Sequence, residues 1–444
     1  KVVASSSPVV SSFETSDKDV NKLWSNIRWT LWGNLTSIPT DCPQRDEREG
    51  WMADAQVFSQ TAIYNLDMAG FYTKWARDIR DSQLDDGRFP DIAPHDGTWR
   101  NFFNGPGWAD AGTIIPWRVY ENYSDIKILG DQYEAMKKFV DHNHKNNPDL
   151  IWRNGRGNDY NDWLNGNWIV AKDYPKEGGS VPNEVFATAY FAFSAEIVAQ
   201  SARLLNKTED YTYYSKLAAS IRQAFVKEFV SADGKIKGDT QTGYAIALQF
   251  GLLPVELRPK AAALMVEAVK KYDYRISTGI HGTYMLMEQL AAYGYSDVAY
   301  RLLLSRRFPS WFYSIDQGAT TIWERWDGYV AGRGFQDAGM NSFNHVAIGA
   351  VGEWLYRHIL GIQLDEKNPG FRHFYVKPKP GTSLTWAKGH YHSINGNIEV
   401  SWTKKDSLFI LDLTVPANTT ATVVLPNSKT YKLGSGTHHL TTEL

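Results

Sequence analysis

A single cysteine, Cys42, among 444 residues excludes an internal disulfide and a cysteine-rich metal centre. No apolar run reaches the roughly 18 residues that a membrane-spanning helix needs. Basic residues are not in excess: Lys and Arg total 47 against 49 Asp and Glu, a formal net charge of −2. Nucleic acid is therefore excluded as an expected partner, because gripping phosphates calls for a basic face. HExxH and EF-hand patterns, a GxSxG elbow and a glycine-rich phosphate loop are all missing. His142 and His144 are two apart and lack a helical i, i+4 partner, and His438 and His439 fall in the tail. No metal and no cofactor are expected. The first residues carry no apolar core of signal-peptide length, which leaves cytoplasmic, periplasmic and secreted locations open, as it does the oligomeric state.

Aromatic side chains are abundant: 17 Trp, 24 Tyr and 20 Phe make up 14% of the chain. Most belong in a large core. A minority suit a sugar site, because the C–H faces of a pyranose stack on flat rings that are half apolar and half wet.

Helical periodicity runs from about residue 13 to 365. Asp17 precedes Val20, Leu23, Ile27, Leu31 and Trp32, a capped amphipathic start. Further apolar-periodic stretches lie near 51–66, 68–82, 110–122, 131–146, 184–205 and 209–229. Others follow near 240–250, 255–271, 282–291, 294–306 and 341–361, with Gly251, Pro254 and Gly294 as punctuation. About twelve helices, many in short-turn pairs and with no fixed sequence repeat, predict a closed toroid of six hairpins, an (α/α)6 barrel. Its long loops, 83–110 and 151–183, are dense in Trp, Asp, Asn and Gly, as binding loops on a rigid scaffold are.

Past Asn368-Pro-Gly370 the pattern changes to short alternating runs around 398–402, 408–415 and 421–425. Turn clusters such as Asn395-Gly396 separate them. The expected organisation is a linker or remnant of an upstream β domain at 1–12, a catalytic barrel at 13–365, and a small antiparallel β-sandwich at 366–444.

Two charged segments stand out. Thr40 to Gln56 carries Asp41, Asp46, Glu47, Glu49 and Asp54 with Arg45, Arg48 and Trp51 among them. Asp316 to Asp327 sets Glu324 between Trp323 and Trp326. Solvated turns do not need Trp and Pro among their charges, and the first segment leads directly into an apolar helix. A pair of carboxyls supplied by distant segments is what glycoside hydrolysis requires: one donates a proton to the leaving oxygen, the other activates water or attacks the sugar. Arginine neighbours lower a carboxyl pKa and burial against Trp raises it, so the balance at these positions is left to the structure.

These segments resemble the catalytic region of bacterial α-L-rhamnosidases, glycoside hydrolase family 78. The resemblance rests on Asp41-Cys-Pro-Gln-Arg-Asp-Glu-Arg48, Gly50-Trp51, Asp54, Thr240 to Gly243, Gly279 to Thr283, Gly318 to Glu324 and Ser342 to His345. Asn397 to Trp402 and Val415 to Ala421 are similar to the family's C-terminal β domain. The resemblance implies an (α/α)6 barrel, an inverting mechanism without a metal, and a rhamnose-containing glycoside or polysaccharide as substrate. It places the general acid at Glu47 and the general base at Glu324. It assigns sugar binding to Asp41, Arg45, Trp51 and Asp54, and by looser matches to Trp108, Trp163 and His345, with Trp311 and Trp326 as further walls. Competing readings are an inverting toroid glycosidase for another sugar, a binding protein that has lost catalysis, and a polysaccharide lyase. A toroid hosts several chemistries, so the fold alone does not choose among them.

Overall fold

The computed structural model describes residues 4–169, 171, 173–175, 178–337 and 339–444. The chain is mainly helical up to Leu360 and then turns to β-structure. Asp17 caps the first helix, Lys18–Gly33, accepting from the Asp19 and Val20 amides at 2.8 and 3.2 Å. This satisfies two of the orphan N–H groups of that terminus. Val20, Leu23, Ile27 and Leu31 form its buried face, while Trp32 is only half-buried.

Two kinds of helix alternate along the chain. Met52–Asn65 is buried at every position, and Asn183–Leu204, Gln241–Gln249 and Ile280–Ala292 are buried nearly all round. Between them come helices with one buried stripe and one wet face: Ala69–Asp81, Ile126–Asn146, Thr208–Phe229 and Arg258–Lys271. Apolarity on all sides belongs to an element surrounded by protein, and a stripe to an element on the outside. The last helical stretch, Ala347–Val351 continued by Gly352–Trp354 and Leu355–Leu360, packs both on Ile280–Ala292 and on Met52–Asn65.

The β region holds two sheets. One orders Ser11–Thr15, Trp386–Ser393, Gly396–Lys405, Leu408–Val415 and Gly436–Glu443, all antiparallel. The other orders Thr430–Leu433, Thr420–Val424, His373–Val376 and Ile362–Leu364. Period-two burial is plain in Leu408–Val415, where Phe409, Leu411, Leu413 and Val415 point inward. Ile394 and Asn395 make the tight turn between Trp386–Ser393 and Gly396–Lys405, and Gly396, at φ 120°, opens the second strand.

Three features differ from the sequence reading. Residues 11–15, on the border of the expected linker, form an edge strand of the five-stranded sheet, pairing Ser11 with Tyr391 and Thr15 with Ala387. Residues 1–3 of that stretch lie outside the described residues. The β region opens at Ile362, ahead of the expected boundary at 366. And one pair, Thr420–Val424 with His373–Val376, is parallel. The β region is fastened to the helices by buried polar contacts: Trp402 Nε1 donates to Ile359 O at 2.7 Å, Tyr64 Oη to Ile362 O at 3.0 Å, and Ser11 Oγ lies 2.7 Å from Tyr356 Oη.

Asp162 shows how the fold secures a long loop. Its buried carboxylate accepts from the amides of Gly279, His281 and Gly282 at 2.7, 2.9 and 2.9 Å, and from the Thr242 hydroxyl. It thereby closes the N-terminus of Ile280–Ala292, where helix polarity favours a negative charge. Gly279 is required there, since a Cβ would stand 2.1 Å from Trp163 O. Asp162→Ala leaves three buried N–H groups unpaired, so it is expected to cost about 3–5 kcal/mol. A fall in the urea midpoint checks this; an unchanged midpoint means the loop is held by other means.

Candidate active site

The first charged segment is a closed loop. Asp41 N donates to Glu49 O at 3.0 Å, and Asp41 Oδ1 accepts from Glu49 N at 2.8 Å. At Gly50 the chain runs against residue 93: Ala93 N donates to Gly50 O at 3.0 Å, and a Cβ on Gly50 would fall 2.0 Å from Ala93 O. Trp51 stands at the N-cap position and Met52–Asn65 follows, which places Asp54 in its first turn.

The second segment is held by its neighbour across a short backbone ladder. Glu324 N donates to Ser342 O at 2.8 Å, and His345 N to Ile322 O at 3.0 Å. Gln44 Nε2 reaches Ser342 Oγ at 2.7 Å and joins the two segments.

Together they line a cavity of about 510 Å³. Its lining combines the charged residues Asp41, Arg45, Asp46, Glu47, Asp54, Glu324 and His345 with the aromatic Trp51, Trp99, Trp108, Tyr160 and Trp163, and Gly339 and Met340 complete it. Arg45 joins the two glutamates. Its Nε donates to Glu47 Oε2 at 2.8 Å, its Nη2 to the same oxygen, and its Nη1 to Glu324 Oε2 at 3.3 Å. Glu47 Oε1 accepts from Trp51 Nε1 at 2.7 Å, and Glu324 Oε2 also accepts from Ser342 N at 2.8 Å. His345 Nε2 pairs with Asp54 Oδ1 at 3.0 Å.

Burial sets the electrostatics. It pushes the Asp41 carboxyl up to about 7, with the charges of Glu47 and Asp54 adding to it and His345 opposing. Glu324 is also raised, first by burial, against the pull of His345, Arg45 and the Ser342 amide. Burial works against the His345 imidazolium, but Asp54, Glu324 and Asp41 outweigh it and bring that ring to about 9. A cation could be held by Asp41, Cys42 and His345, whose donor atoms lie within 4.8 Å of one another. The Cys42 thiol would first have to lose a proton that burial and Asp41 hold tightly.

The cavity brings together both glutamates and seven of the expected binding residues: Asp41, Arg45, Trp51, Asp54, Trp108, Trp163 and His345. Trp311 and Trp326 are corrections. They lie in the core and meet edge to face at 5.3 Å, with their indole N–H groups on Ile348 O and Thr278 O at 2.9 and 3.2 Å. Their polar ends are thus spent on backbone carbonyls behind the site. Tyr160, Trp99 and Met340 were missed. Tyr160 and Trp99 belong to the two aromatic-rich loops, and that density was the available signal.

A groove of about 640 Å³ beside Ser11–Thr15 is larger. Its charges sit on an open sheet face and pair there, Lys388 with Glu14 at 2.9 Å and His439 with Asp412 at 2.7 Å. Exposed pairs of this kind are weakly coupled, so the smaller cavity, with its buried carboxylates, is the candidate site.

The family model described as the bacterial alpha-L-rhamnosidase 6 hairpin glycosidase domain matches residues 8–359, and that of the bacterial alpha-L-rhamnosidase C-terminal domain matches 361–439. An alpha-L-rhamnosidase of Streptomyces avermitilis is 43% identical over 427 residues, covering 96% of this chain and 39% of that protein. One from Formosa agariphila is 40% identical over 432 residues, covering 95% and 45%. Among solved structures, Streptomyces avermitilis alpha-L-rhamnosidase complexed with L-rhamnose superposes with a TM-score of 0.92 at 40% identity, over 99% of this chain and 43% of that one. The alpha-L-rhamnosidase from Dictyoglumus thermophilum gives 0.90 at 33% identity, over 100% and 51%. The chain thus spans half or less of the length of the curated relatives it matches.

The His345–Asp54 pair has a pH signature. Its stabilisation is complete below the ordinary histidine value of 6.5 and is lost as pH rises through about 9, an effect of about 3 kcal/mol at most. Urea unfolding at a series of pH values is expected to show a steeper loss over that window in the wild type than in His345→Gln. Equal slopes would remove the pair from the stability of the site.

Proposed function

Because the chain belongs to the bacterial alpha-L-rhamnosidase family, we propose that it is a glycoside hydrolase that releases terminal α-L-rhamnose, with inversion, from a rhamnose-containing glycoside. In this reading Glu47 is the proton donor and Glu324 the base. The observation that carries it is the guanidinium of Arg45 in contact with both carboxylates. Its contacts of 2.8 and 3.3 Å, together with its own width, keep the two oxygens nearer than about 9.5 Å, the outer limit for inverting pairs. A cavity of about 510 Å³ lies within the roughly 300–1,000 Å³ of small-ligand sites.

The steps follow from these contacts. Protonated Glu47 gives its proton to the glycosidic oxygen as the bond from that oxygen to the anomeric carbon breaks. Glu324 takes a proton from water, whose oxygen attacks the same carbon from the opposite face. The two carboxyls then exchange protons with solvent. Both Glu47 oxygens accept hydrogen bonds, from Arg45 and from Trp51. Carrying a proton therefore requires one donor to yield, and a sugar hydroxyl that draws Arg45 away does this. Asp41 and Asp54 are placed to accept from sugar hydroxyls, and the indole rings to pack on the C6 methyl.

The finer architecture belongs to the same proposal. Alternation of all-buried and one-sided helices, with the last inner stretch packed against the first, supports a closed (α/α)6 barrel over residues 18–360. The two sheets that follow support a β-sandwich covering one end of it.

Glu47→Gln is expected to lower kcat by about 10²–10⁴-fold on a rhamnosyl disaccharide, whose leaving group needs protonation, and by much less on a nitrophenyl rhamnoside. Glu324→Gln lowers both alike. Near-normal turnover of the disaccharide by either variant contradicts its role. A wild type that cleaves an α-L-fucoside and spares the rhamnoside contradicts the choice of sugar.

A further inference from the structure

Tyr160 lies in the cavity wall, yet its hydroxyl is turned away from any substrate. It donates to Asp91 Oδ2 at 3.2 Å and accepts from Asn158 Nδ2 at 2.8 Å. Asp91 is wholly buried, and its other oxygen accepts from Gly105 N at 2.8 Å. Both hydrogen-bonding positions of the phenol are therefore used by protein. Burial and the Asp91 charge also push its pKa up, so the phenol keeps its proton.

What Tyr160 presents to the site is its ring. It meets the Trp51 indole edge to face, with centroids 5.8 Å apart and planes at 88°. Phe102 also meets the same indole, at 5.8 Å and 66°, and lies 6.4 Å from the Tyr160 ring. Trp51 is only half-buried, so these two rings limit how far its side chain turns. The direction of that indole matters because its N–H lies 2.7 Å from Glu47 Oε1. A chain of contacts thus runs from buried Asp91 through Tyr160 and Trp51 to Glu47.

We propose that Tyr160 is a positioning residue for Glu47: anchored on Asp91, it fixes the Trp51 indole and so aims the Trp51 N–H at Glu47 Oε1. This rests on the reading of Glu47 as the proton donor. A displacement of about 1 Å in a catalytic group costs on the order of 10²-fold in rate. The loss falls where proton donation is needed and is small where the leaving group departs unaided.

The test compares two substrates in a double-mutant cycle. Tyr160→Leu removes the ring, and Tyr160→Phe keeps the ring and removes its anchor. Trp51→Phe keeps a ring and removes the N–H. On a rhamnosyl disaccharide, kcat is expected to fall about 10–100-fold in Tyr160→Leu and about 3–10-fold in Tyr160→Phe. On a nitrophenyl rhamnoside the same changes are expected to cost about threefold to tenfold less than they do on the disaccharide. In the Trp51→Phe background neither Tyr160 change adds more than about twofold, because coupled residues are not additive. If Tyr160→Leu does not fold, the Tyr160→Phe arm carries the test. Equal losses on both substrates, or losses that multiply with Trp51→Phe, overturn the proposal and leave Tyr160 as a plain wall. Glu47→Gln, run alongside, separates the two ideas. If that variant does not discriminate between the substrates, the reading of Glu47 falls. If it does and the Tyr160 variants do not, only the positioning role falls.

Discussion

The guanidinium of Arg45 is the contact on which the site depends. Asp41, Glu47, Asp54 and Glu324 are gathered around one small cavity, and carboxylates so placed repel one another in a medium that screens poorly. Among the described residues that line it, two side chains carry compensating charge, and they divide the work. Arg45 serves Glu47 and Glu324, and His345 serves Asp54. Asp41 has neither cation as a direct partner and is the carboxyl that burial drives to about 7. One planar fork with several donors suits a bridge between two carboxylates better than a point charge on a flexible stem. The same contact that makes the cluster tolerable also spaces the proposed acid and base.

The fold brings this cluster together from segments far apart in the chain. The Arg45–Glu47 loop precedes a helix buried at every position, and Glu324 is fixed by a ladder to Ser342. Backbone approaches at Gly50 and Gly279 leave no space for a Cβ. They seat the acid-bearing loop against residue 93 and the aromatic loop against the N-terminus of Ile280–Ala292. Rigid elements thus carry the ends of the loops, and the loops carry the chemistry. The aromatic wall adds a second kind of order, since its rings pack on one another and Trp51, Trp99 and Tyr160 are also anchored by an N–H or hydroxyl.

Much of this was legible in the residues. Charge mixed with Trp and Pro at 40–56 marked a site because a solvated turn has no use for that mixture. The outer helices were readable because their burial is periodic and local. Other features had no local signature. Trp326 sits two residues from Glu324, and nothing in the text says that its N–H is taken by Thr278 O. Tyr160 is one tyrosine among 24, and its importance lies in what Asp91 and Trp51 do on either side of it. The strand Ser11–Thr15 is polar and short, and its partner, Trp386–Ser393, lies at the other end of the chain. The parallel pairing of Thr420–Val424 with His373–Val376 likewise depends on tertiary placement, because short alternating runs fix which face is buried but not the direction of a distant partner.

In the proposed reaction Glu47 and Glu324 act on opposite faces of the sugar, and a water activated by Glu324 attacks the anomeric carbon. The direct measurement is proton NMR of the wild-type protein acting on a nitrophenyl α-L-rhamnoside, recorded from the first turnovers. The account predicts that β-L-rhamnose appears first and only later equilibrates with the α-anomer. First appearance of α-L-rhamnose would contradict it, since that outcome requires a carboxylate to attack the sugar directly.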